Sequence, residues 1–90
     1  MRLHKFLYHH VLGEQPVCLI SRSMIYELQN CRMPRKPYFY GKADDVPMDL
    51  AYKGVHRIMT CSELWAADKH EKLEDWGHMD DETLYIEVDG

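Results

Sequence analysis

Ninety residues, 46% apolar and 29% charged, have the make-up of one ordinary globular domain (residues 1–90) with a modest core. No apolar run approaches the roughly 18 residues of a membrane span, and MRLHKFLYHHVLG lacks a signal peptide's apolar region and cleavage site, so the expected location is cytoplasmic. The net charge of −4 is unevenly spread: residues 1–62 carry nine Lys/Arg against five Asp/Glu, a formal +4, and residues 63–90 carry two Lys against ten Asp/Glu, a formal −8.

Residues 2–12, RLHKFLYHHVL, place Leu3, Leu7 and Val11 on one alternating side and Phe6, Tyr8 and Leu12 on the other. That pattern predicts a strand covered on both faces, or one that is central and long, in preference to a helix. Gly13–Pro16 is a turn signal and Val17–Ile20 reads as the returning strand, which together predict an N-terminal β-hairpin. Ser21 or Ser23 can cap a short helix of about residues 24–31, carried by Met24, Ile25 and Leu28. Pro34 and Pro37 then hold the chain irregular or extended, with a short edge strand at Tyr38–Tyr40. Residues 41–49, GKADDVPMD, read as loop. Strand character returns at Val55–Met59, with Gly54 marking a bulge.

The strongest local signal is TCSELWAADKHEKLEDWG, residues 60–77. Thr60 and Glu63 form a capping box and Gly77 is a stop signal, so a helix is predicted over residues 61–76. Trp65, Ala66, Leu73 and Trp76 fall within an arc of roughly 100°, opposite Glu63, Asp68, Glu71, Glu74 and Asp75. Finally, Leu84, Ile86 and Val88 alternate with Tyr85, Glu87 and Asp89, the pattern of a half-buried strand. The expected fold class is α+β: a mostly antiparallel sheet of three to five strands with the two helices packed on one face.

Chemistry is poorly signalled. Cys18, Cys31 and Cys61 have no CxxC spacing and read as reduced thiols. The histidines His4, His9, His10, His56, His70 and His78 show no metal-ligand spacing, and no nucleophile elbow, phosphate loop or dinucleotide fingerprint is present. The expectation is therefore a non-enzyme with no cofactor and no bound metal. Two binding surfaces are candidates. The acidic row Glu63, Asp68, Glu71, Glu74 and Asp75, continuing to Asp80 and Asp81, suits a basic surface on a partner protein. An inhibitor or adaptor of a nucleic-acid-handling machine, of the kind phages and mobile elements encode, is its sharpest version. The alternative is nucleic-acid binding by Arg32, Arg35, Lys36 and Lys42 around Tyr38 and Tyr40, with Arg22, Lys53 and Arg57 extending the patch. A homodimer through an edge strand at Tyr38–Tyr40 or Leu84–Val88 is compatible with either. The acidic row faces either the chain's own basic segment or a partner.

Overall fold

Residues 3–10 are not a strand. In the computed structural model, which describes residues 1–30, 32, 36–65 and 82–89, Leu3–His10 form helix α1. Leu3, Phe6 and Leu7 stand at i, i+3 and i+4, and Leu3–His10 contain no β-branched residue, so helical spacing is satisfied as well as alternation. Leu3 and Phe6 bury themselves against Val17, Leu19, Ile86 and Val88 of the sheet, and this contact decides between the two periodicities. The predicted N-terminal hairpin is corrected accordingly: the turn after α1 joins a helix to a strand.

Strand β1 is Pro16–Ile20 and helix α2 is Arg22–Gln29. Ser21 caps α2, its hydroxyl accepting the Met24 N–H at 3.3 Å. Asn30 ends the helix by donating its side-chain amide to the Tyr26 carbonyl at 2.8 Å. Strand β2, Phe39–Lys42, is the edge strand expected near Tyr38–Tyr40. The segment read as loop is more ordered than its polarity suggests. Ala43–Asp45 make a 3-10 turn, and Met48–Ala51 make the short helix α3, started by Pro47. Strand β3 is Val55–Met59, helix α4 covers Cys61–Trp65 among the described residues, and strand β4 is Leu84–Val88.

The capping box forms as its spacing requires. Glu63 N–H donates to the Thr60 hydroxyl at 3.2 Å, and Thr60 N–H donates to Glu63 Oε1 at 3.4 Å. Such a cap contributes about 1 kcal/mol. The rest of the helix predicted over residues 61–76 lies outside the described residues.

The strands assemble in the order β2-β1-β4-β3. Both outer pairings are antiparallel, whereas the central β1–β4 pair is parallel, with Val17 opposite Leu84 and Leu19 opposite Ile86. The sheet is therefore mixed. Helices also cover both faces rather than one, which is the second correction. Residues from α1 and α3 pack with Val17, Leu19, Ile86 and Val88 on one side. On the other, Met24, Ile25 and Leu28 of α2 and Leu64 of α4 pack with Cys18, Ile20, Met59 and Tyr85. With both faces covered, β1 and β4 are buried along almost their whole length, and β4 is not half-buried. Among the described residues this is an α+β arrangement of four strands and four α-helices.

The β3 edge carries two further features. Its start is covered by the N-terminus: Val55 N–H donates to the Met1 carbonyl at 2.6 Å, Leu3 N–H donates to the Lys53 carbonyl at 2.8 Å, and Arg2 bridges Gly54. A register shift then falls between Val55 and Arg57, leaving His56 as the extra residue, two positions beyond the expected Gly54. The shift puts Val55 toward the α1 face and aligns Arg57 with Glu87, toward α2.

Cys18 lies in the α2 face, and burial pushes its thiol up from the ordinary 9.0 to about 12. The fold favours the neutral thiol, so this contribution is fully present below about pH 9 and is lost as pH rises toward about 12. Urea unfolding in steps above about pH 9 is expected to show stability falling by up to about 1.4 kcal/mol per pH unit from this group. Cys18→Ala should flatten that slope, and an equal slope in both proteins would remove Cys18 as the cause.

Candidate functional site

Arg22 begins α2, and Ile25, Tyr26 and Gln29 follow at i+3, i+4 and i+7, so the four share one stripe of the helix. This stripe forms one wall of a cleft of about 440 Å³, and His56 and Arg57 of the edge strand β3 form the other. Between the walls lies Glu87 of β4. It stands beside Tyr85 in the strand register and faces α2, and it is only 2% exposed.

A carboxylate in that position is unusual, because removing a charge from water costs several kcal/mol unless it is well paired. Glu87 has two cationic neighbours. Arg57 Nη2 is 3.3 Å from Oε1, and Arg22 Nε is 3.6 Å from Oε2. The cations themselves stay in water, with side chains 85% (Arg22) and 53% (Arg57) exposed. One buried carboxylate thus holds two solvent-facing guanidiniums side by side, each with donors to spare. Where the cleft continues past the start of α2 it is lined by Ser21, Ser23 and Asp89. There Asp89 pairs with His56, and the Ser21 and Ser23 hydroxyls share a 2.9 Å hydrogen bond.

The residues expected to bind a partner are placed only in part. Glu63 is exposed, and its Oε1 serves the capping box, also accepting the Thr60 hydroxyl at 3.1 Å. Asp68, Glu71, Glu74, Asp75, Asp80 and Asp81 lie outside the described residues, as does Arg35. In the alternative surface, Arg32 and Lys36 are exposed. Tyr38 and Tyr40 are 38% and 36% exposed. Lys42 is paired with Glu14 at 3.0 Å, and that hydrogen bond, with the attraction of the same carboxylate, raises the lysine's pKa. Lys53 sits 5.1 Å from the Tyr38 ring centre and donates to the Asp89 carbonyl at 3.0 Å. The structure therefore separates the proposed extension of the basic patch: Lys53 goes to Tyr38, whereas Arg22 and Arg57 converge on Glu87.

Glu87 is the site residue that the alternating pattern hid. The one signal against that pattern is Tyr85, a large ring on the side that Glu87 shares. Comparison with family models, with curated proteins and with solved structures finds no match to this chain.

Proposed function

We infer that the chain is a small non-enzymatic binding protein, an inhibitor or adaptor that engages a basic surface of a partner protein through the acidic stretch Glu63–Asp81. The observation that carries this reading is the division of charge along the chain, since residues 63–90 hold ten Asp/Glu against two Lys, a formal −8. Lys42 closes on Glu14, and Arg22 and Arg57 close on Glu87. Among the described residues, these three cations thus already have carboxylates of their own. A row of acids with so large a net charge complements a basic partner and speeds encounter with it.

The nucleic-acid alternative is less well supported. Lys42 is occupied by Glu14, Lys53 lies against Tyr38, and the tyrosines have little more than a third of their surface exposed.

The test uses the purified protein and the triple variant Glu71→Lys, Glu74→Lys, Asp75→Lys as baits in extract from the native host. A partner retained by the parent, released by added salt and lost with the variant is the expected result. Equal retention by a folded variant overturns the reading. Binding of single- or double-stranded oligonucleotides at low salt, abolished by Arg32→Ala with Lys36→Ala, would establish the alternative instead.

A further inference from the structure

We propose that the cleft between α2 and β3 is a binding site for a small aromatic carboxylate, clasped by Arg22 and Arg57 with its ring against Tyr26. This site is separate from the acidic stretch and does not depend on it.

The first ground is the pair of guanidiniums. Each has five N–H donors, and Glu87 engages Arg57 through one Nη and approaches Arg22 at Nε. The remaining donors belong to side chains that are mostly in water and border the cleft. Planar guanidiniums bind carboxylates through paired N–H···O bonds, and two held side by side present more donors than one carboxylate needs.

The second ground is charge. Two arginines and one glutamate leave a formal +1 at the floor of the cleft. That balance suits a monoanion, whereas a phosphate monoester would overfill it. Asp89 lines only the end by Ser21 and Ser23, away from Tyr26 and Gln29. The carboxylate therefore belongs at the Tyr26 end.

The third ground is shape. About 440 Å³ lies in the range of small-ligand sites. Tyr26 is 58% exposed on the cleft wall, where its ring offers a flat apolar surface, and Gln29 adds an amide that can meet a ring substituent.

The experiment titrates the isotope-labelled protein with benzoate, benzamide, phenyl phosphate and chloride, following the arginine side-chain N–H and Tyr26 signals. Benzoate is expected to give saturable shifts at Arg22, Arg57 and Tyr26 and to bind about tenfold or more tighter than its neutral isostere benzamide. Arg22→Ala and Arg57→Ala should each weaken benzoate by about tenfold. Each substitution leaves the buried Glu87 carboxylate one cation short, so the fold of both variants is checked first from their spectra. Tyr26→Ala touches neither ion pair and should weaken benzoate as well, which keeps the test open if an arginine variant unfolds. Phenyl phosphate should bind less well than benzoate to the parent protein, and Glu87→Gln, which raises the local charge to +2, should reverse that order. Benzoate shifts no larger than those from equal chloride, equal affinity for benzamide, or parent-like binding by either arginine variant overturns the site. An unreversed order in Glu87→Gln overturns the charge balance assigned to Glu87.

Discussion

Phe6→Ala is expected to lower the free energy of unfolding by about 3–5 kcal/mol, and Tyr8→Ala to change it by no more than about 0.5 kcal/mol. The contrast follows from the helix. Phe6 is 5% exposed and packs in the core beneath α1, whereas Tyr8 is 83% exposed and meets the His9 ring edge-on. Truncating Phe6 removes a ring from a packed interior and leaves a cavity. Truncating Tyr8 leaves solvent where there was solvent. In a strand the two residues would share one face and would cost similar amounts. Urea denaturation of both variants checks the result, and near-equal losses would restore the strand. Because a domain of this size holds only about 5–15 kcal/mol in total, Phe6→Ala should also lower the melting temperature by tens of degrees.

Glu87→Leu is expected to stabilise the protein, by about 1–4 kcal/mol. Burying the Glu87 carboxylate costs several kcal/mol. The return is limited, because Arg22 at 3.6 Å and Arg57 at 3.3 Å are largely solvated and their attraction is screened. Leucine removes the penalty and adds apolar contact on the α2 face. The arginines left behind are not stranded, because water already reaches them. Chemical denaturation of parent and variant decides the matter: a loss above about 2 kcal/mol would mean that the ion pairs outweigh desolvation. On that outcome glutamate is a choice against stability, and such choices concentrate where a site requires them. The arginine pair is the feature it secures.

Both predictions concern positions where local reading and packing diverged. RLHKFLYHHVL satisfies strand alternation and helix spacing at once, because apolar side chains occur on every side of it. Nothing inside those residues breaks the tie; burial of Leu3 and Phe6 against β1 and β4 does. The β4 run has the opposite history. Its extent was legible to the residue, since Leu84–Val88 has clean alternation. Its burial was not, because whether the Tyr85 and Glu87 side meets water depends on α2 and α4, which come from distant parts of the chain. Capping and edge signals needed no such help. Thr60 with Glu63, Ser21 with Met24, and the strand Val55–Met59 are specified within a few positions, by hydrogen bonds and side-chain shape that act locally.

The amino-acid sequence by itself determined the α+β class, most element positions, the capping box and the division of charge between the first two-thirds of the chain and the last third. These depend on short-range backbone preferences and on composition. Tertiary structure alone decided the helix at Leu3–His10, the parallel pairing of β1 with β4, the covering of both sheet faces, and the meeting of Arg22, Arg57 and Glu87. The physical reason is common to all four. Each depends on which apolar faces find one another across long loops, and the free energy of that burial exceeds the small local preferences that a sequence displays.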